Sequence, residues 1–256
     1  MDPASIIGLI VALAGVYIMM FLEGTHLSAI LIPAPMIIVW VGTIGVGVMG
    51  STVKDTIYAY KQVPRIFTAK APLQGATIPT IVTLADKARR EGLLALEDAA
   101  KDIEDEFLKE GLTAAIDGAD PEDLRNMLED KIETKRAQDK VGHAYFGQLG
   151  GYAPTIGIVG TVISLLHVLG NLEDPSALGP MIAAAFVATL WGLASANLIW
   201  LPFSGRLKRL SELECLQMEV TLEGLLALQS GANPRSVGER LRSLVPASEV
   251  PEEKAA

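Results

Sequence analysis

Two short runs of small and hydroxyl-bearing residues recur at intervals that could do chemistry. Pro154, Gly157, Thr161 and Ser164 follow one another at +3, +4 and +3, and Ala185, Thr189, Gly192 and Ala196 at +4, +3 and +4. On an α-helix such intervals share one face. Small residues let two backbones approach, and hydroxyls can bond across helices or offer oxygens to a cation. Close packing alone accounts for the same spacing, and the two readings are compatible. A second constellation, Arg89, Arg90, Glu91 and Glu97, straddles Gly92. It reads as a solvated face or as a docking patch for an oppositely charged surface. Pro154 and Pro202 lie near the ends of apolar runs, where each marks either a span boundary or a hinge. Other site chemistry is thin. One cysteine, Cys215, excludes a disulfide framework, and His26, His143 and His167 show no ligand spacing.

These residues must be positioned by unusually apolar elements. The 256-residue chain is 50% hydrophobic and 20% charged, with mean hydropathy +0.36. Its net charge of −9 argues against a nucleic-acid partner, which needs clustered Lys and Arg. Residues 1–53 and 141–205 contain no Lys or Arg and hold four long apolar stretches: Ala4–Leu22, about Leu27–Gly50, about Tyr152–Leu172 and about Leu178–Phe203. Each is long enough to cross a bilayer as a helix, which takes roughly 20 residues. None contains Asp, Glu, Lys or Arg. A protonatable carboxylate usually marks an intramembrane ion path, so the chain alone is a poor proton carrier. Trp40, Trp191 and Trp200 read as packing or interfacial anchors.

The loops 23–26 and 173–175 carry no basic residue, whereas 51–150 and 204–256 carry all of them. The positive-inside rule places the latter two and both termini in the cytoplasm. Met1-Asp2-Pro3 lacks the basic start of a cleaved signal peptide. The expectation is an all-α membrane protein with four transmembrane helices in two hairpins, a helical cytoplasmic segment between spans 2 and 3, and a helical C-terminal tail. Its divisions are 1–50 (spans 1 and 2), 51–150 (cytoplasmic), 151–205 (spans 3 and 4) and 206–256 (cytoplasmic helices and tail).

Within the cytoplasmic parts, Asp120-Pro121-Glu122-Asp123 predicts a helix start: an N-cap, proline at the first position and acids in the first turn. That helix can run past Lys140 into span 3. Ile78, Ile81, Leu84, Ala85 and Ala88 recur at helical spacing, with Gly92 as a stop. An amphipathic helix is expected over about Leu96–Leu108. Span 4 should continue through Arg206–Gln229 and stop at Gly231. Asn233-Pro234 should cap a helix over Arg235–Leu244, and Pro246–Ala256 should be disordered.

The residues now resemble a known family. Ala153-Pro154-Thr155-Ile156-Gly157-Ile158-Val159-Gly160-Thr161-Val162, then Asp174-Pro175, then Ala188-Thr189-Leu190-Trp191-Gly192, are similar to the MotA/PomA family, the A-type subunits of the bacterial flagellar stator. Ala88-Arg89-Arg90-Glu91-Gly92-Leu93-Leu94-Ala95-Leu96-Glu97 is a second match. The resemblance covers nearly the whole chain, through 231–235. It implies five A-type subunits in the bacterial inner membrane around a dimer of a B-type partner, which supplies a membrane aspartate and a peptidoglycan-binding domain. Ion flow would turn the ring, whose cytoplasmic part drives the rotor switch-complex ring. By this resemblance Thr161 and Thr189 are the pathway hydroxyls, with Pro154 and Ser164 on the same face. Pro154 and Pro202 are the coupling prolines, and Arg89, Arg90 and Glu97 are the rotor contacts. No cofactor is implied beyond the transported sodium or proton. The hydroxyl at Thr161 resembles sodium-driven members, since many proton-driven ones carry alanine there. The sequence departs from the family at Trp40-Val41, where many members have paired glycines, which puts the packing of span 2 against span 1 in question. The alternative is an ExbB/TolQ-like energy-transducing proton-channel subunit. Those proteins typically have three spans and an external N-terminus. An intramembrane enzyme would need a catalytic or metal set that scattered hydroxyls do not supply, and a scaffold without an ion role fits the polar faces less well.

Overall fold

A computed structural model describes residues 4–250. The elements are all helical, and no strand occurs among the described residues. They run α1 (Ala4–Leu22), α2 (Pro33–Met49), α3 (Val53–Lys61), α4 (Val63–Thr68), α5 (Ile78–Glu91), α6 (Glu97–Lys101), α7 (Glu106–Ile116), α8 (Pro121–Leu169), α9 (Pro175–Ser195), a π-turn (Ala196–Trp200), α10 (Leu201–Gln229) and α11 (Pro234–Ser243). Three helices are long and apolar enough to cross a membrane: α1, α8 and the run Pro175–Gln229. α2 is apolar but has 17 residues, the short end of what spans a hydrocarbon core. The chain is membrane-embedded.

Two compact units divide the chain: 1–70 with 139–208, and 71–138 with 209–256.

The first unit is built on close backbone approach and aromatic packing. A Cβ on Gly157 would meet the Ala188 carbonyl oxygen at 2.9 Å, and one on Gly192 would meet that of Ala153 at 2.8 Å. Glycine at both positions is what lets α8 and α9 touch. An aromatic cluster surrounds fully buried Phe146. Its ring stacks on Trp200 at 6.3 Å and meets Phe203 edge-on at 5.8 Å. Trp40 lies 6.1 Å from Trp191 and 5.7 Å from Trp200. The structure accounts for Trp40, which packs on α9 and the π-turn, whereas Val41 is 65% exposed and takes no part in that contact.

Several sequence expectations need correction here. The second apolar stretch is not one helix over Leu27–Gly50. Leu27–Ala29 forms a 3-10 turn, and α2 starts at Pro33, because a proline lacks the N–H needed inside a helix and suits its first position. Span 4 is interrupted by the π-turn just before Pro202. A proline clashes with the carbonyl four residues back, here Leu198, and the wider turn takes up that conflict. Met1-Asp2-Pro3 lies outside the described residues.

The second unit has a conventional apolar core. Ile78, Ile81, Leu96, Leu108, Leu112, Leu128, Leu225 and Leu241 are buried together. Asp120 accepts from the Glu122 N–H at 2.9 Å, so α8 starts where the sequence signalled. It then runs unbroken for 49 residues through Pro154. α5 stops at Gly92, whose φ of +86° favours glycine. The expected helix over Leu96–Leu108 is instead α6 and α7. Asp105 has an extended backbone, and its side chain accepts from the Leu108 N–H at 2.8 Å, starting a new helix. The expected disorder from Pro246 is corrected for 246–250. Ala247–Glu249 forms a 3-10 turn, and the Glu249 carbonyl accepts from the Gly75 N–H at 3.2 Å. Residues 251–256 lie outside the described residues.

Candidate functional site

α8 and α9 bring the two hydroxyl-bearing runs face to face. The Thr161 and Thr189 hydroxyl oxygens lie 2.6 Å apart. Thr161 Oγ1 is also 2.9 Å from the Ala185 carbonyl oxygen, across the helix pair, and 3.0 Å from the Gly157 carbonyl oxygen on its own helix. Two hydroxyl protons serve this group of four oxygens. Thr161 can donate to one carbonyl while Thr189 donates to Thr161, or the Thr–Thr bond can reverse. Both threonines are half-buried, so the oxygens are open on one side. Such a cluster, with no fixed charge, offers the hard ligands that an alkali cation or a hydronium accepts. Gly157 and Gly192 lie beside this pair and set the helix separation that brings the hydroxyls within reach.

Pro154 is half-buried on the same α8 face, two turns from Thr161. Ser164 is half-buried one turn beyond Thr161 and takes no part in the oxygen cluster. Pro202 is exposed at the start of α10, directly after the π-turn, and not in the Thr161–Thr189 group. Arg89 and Arg90 close α5 and Glu97 opens α6, all exposed, in the second unit. They are not equivalent. Arg90 is paired with Asp86 at 2.8 Å along its own helix. Arg89 and Glu97 have no ion pair among the described residues. Beside Glu97, Asp98 and Lys101 pair at 2.8 Å, which holds the carboxyl below and the ammonium above its ordinary range. Between the two charged ends stands Leu94, 75% exposed.

Three features were out of reach of sequence reasoning. The Ala185 carbonyl joins the site as backbone, which no residue type announces. The π-turn depends on register; its one signal is Pro202. Trp191 donates from Nε1 to the Ile30 carbonyl at 2.7 Å, tying the loop between α1 and α2 to α9. At the far end of the α8–α9 hairpin, Asp174 caps α9 by accepting from the Ser176 hydroxyl at 2.6 Å and its N–H at 3.1 Å. Those bonds hold the Asp174 carboxyl below the usual carboxylate range.

The family model described as the MotA/TolQ/ExbB proton channel family matches residues 99–220. The chain is 37% identical over 254 residues to motility protein A of Bacillus subtilis (strain 168), across 97% of this chain and 93% of that protein. It is 32% identical over 243 residues to the chemotaxis protein PomA of Vibrio alginolyticus, across 95% of both. Two solved structures share the fold over nearly their full length. The C. jejuni MotAB structure gives a TM-score of 0.93 at 27% identity, covering 99% of this chain and 100% of that one. The flagellar MotAB stator complex from Bacillus subtilis gives 0.87 at 37% identity, covering 97% and 98%. The chain thus belongs to the MotA/PomA family of flagellar stator subunits, within the wider group of MotA/TolQ/ExbB ion channels.

Proposed function

We propose that this chain is the uncharged wall of a cation path whose titrating carboxylate is supplied by a B-type stator partner, and that cation flow along it produces torque on the flagellar rotor. The observation that carries the reading is the Thr161–Thr189 oxygen cluster, set between two spans that contain no Asp, Glu, Lys or Arg. A partner aspartate facing it would meet oxygens able to share a partly dehydrated cation, and no fixed charge would trap the ion. The Thr161 hydroxyl, with three further oxygens around it, favours sodium over a proton as the driving ion. Five copies form the ring around the partner dimer, in the bacterial inner membrane with both termini cytoplasmic. The solved MotAB relatives support pairing with a MotB-type partner. Arg89 and Glu97, exposed and without an ion pair among the described residues, carry the rotor contact together with Arg90. Pro154 and Pro202 pass the change from the spans to that contact.

The test is motility, or ion flux through the co-expressed pair, at fixed pH in sodium-containing against sodium-free medium. Activity that requires sodium in the parent and loses that requirement in Thr161→Ala is the expected result. Sodium-independent activity in the parent removes the sodium assignment while leaving the wall intact.

A further inference from the structure

The first span stands off from the fourth at two cavities, one after the other along α1. Two cavities of about 310 Å³ each lie between α1 and the α9–π-turn–α10 run, and Leu198 lines both. On the α1 side, Ser5, Gly8 and Ala12 face the first cavity, and Leu13, Val16 and Met20 face the second. These residues share one helix face, so the cleft follows α1 for about 22 Å at 1.5 Å per residue. Nothing lies within 4 Å of a Cβ built on Gly8. The second cavity is walled by apolar side chains and the Trp191 ring. The first has hydroxyl and amide groups at Ser5 and Asn197. Its Pro202–Phe203 wall leads to cationic groups. Phe203 packs on Phe67 at 5.6 Å, Arg206 lies one turn past Pro202 with Nη2 3.4 Å from the Ala69 carbonyl oxygen, and Lys70 follows Ala69 and is exposed.

We propose that the cleft is a binding site for one anionic phospholipid, with an acyl chain between α1 and the fourth span and the phosphate over Arg206 and Lys70. The order of groups suits that molecule: Arg206 one turn past the Pro202 wall and Lys70 three residues past Phe67, amide and hydroxyl in the first cavity, then hydrocarbon in the second. One leaflet contributes about 15 Å of a hydrocarbon core about 30 Å thick, so a single chain fits within the length available. Basic groups at the edge of a span attract anionic headgroups. The bound chain would lie against Asn197, within the π-turn where the fourth span changes its helical pitch, and Pro202, two residues past it.

The test uses the full chain purified with its B-type partner and examined by native mass spectrometry after mixing with phosphatidylglycerol or phosphatidylcholine of identical acyl chains. Retention of phosphatidylglycerol about tenfold above phosphatidylcholine is expected. Gly8→Leu, which fills the cavity, should abolish retention of both lipids; Ala12→Leu is the second variant should the first fail to assemble. Lys70→Gln with Arg206→Gln should abolish only the preference. Equal retention of the two lipids by the parent, or unchanged retention in the filled variants, overturns the proposal.

Discussion

In the first unit the tightest approaches are glycine against backbone, at Gly157 and Gly192, and its buried bulk is aromatic, around Phe146 and Trp200. In the second, the bulk is Leu, Ile and Ala, ringed by ion pairs such as Arg125–Glu223, Lys135–Glu214 and Arg136–Glu219. Charge divides the same way. The first unit holds 7 basic and 6 acidic residues, and the second 14 and 24. The difference follows from the solvent. In hydrocarbon, apolar side chains gain little by meeting each other, so helices associate through close backbone contact and shared hydrogen bonds. In water, burying Leu and Ile is the driving force, and exposed ion pairs add little apiece. The polar atoms of the first unit are therefore informative in a way those of the second are not. A hydroxyl pair between spans has a packing role and an ion-handling role open to it, whereas a salt bridge on a water-exposed surface needs no function.

This contrast can be broken by substitution. The largest effect is expected from Gly192→Leu. Its side chain must displace the Ala153 carbonyl, which is backbone and cannot swing aside, so assembly of the membrane complex should be lost altogether on gel filtration. In the second unit, Ile81→Ala leaves a cavity at a fully buried position and should destabilise the chain by about 2–5 kcal/mol, read as a lowered unfolding temperature of the complex. Thr189→Val sharpens the comparison within the first unit. An interhelical hydrogen bond is worth only about 0.6 kcal/mol on average between spans, so assembly should survive while ion-driven activity falls tenfold or more. Parallel loss of assembly and activity would assign the pair to packing. For the charged patch, Arg89→Glu should reduce motility several-fold with the complex intact, and Arg90→Gln less, since Arg90 is already engaged with Asp86. The smallest effect concerns Asp174. Its carboxyl is held below the ordinary range, so its stabilising contribution is full above that range and is lost as pH falls through the lowered value. Asp174→Ala should lower the melting temperature slightly at pH 7, and the difference from the parent should vanish in acid.

The spans and the long helices were legible because their signals are local: uncharged runs, the Asp120–Asp123 start, Gly92 and Gly231 as stops. Spacing placed Thr161 and Thr189 each on the small-residue face of its own helix, but that the faces oppose, with a 2.6 Å approach, depends on Gly157 and Gly192 being aligned across 35 residues of chain. The π-turn and the split at Asp102–Asp105 were not legible. Both are settled by competition between backbone bonding and a single side chain, Pro202 in one case and Asp105 in the other, and helical periodicity passes over them.

Ion flux through the purified chain in proteoliposomes, with and without the B-type partner, bears most directly on the carboxylate belonging to a neighbour. Vesicles holding this chain alone should keep an imposed cation gradient, and those holding both proteins should dissipate it. Robust conductance by the chain alone, undiminished by Thr161→Ala with Thr189→Val, would contradict that claim.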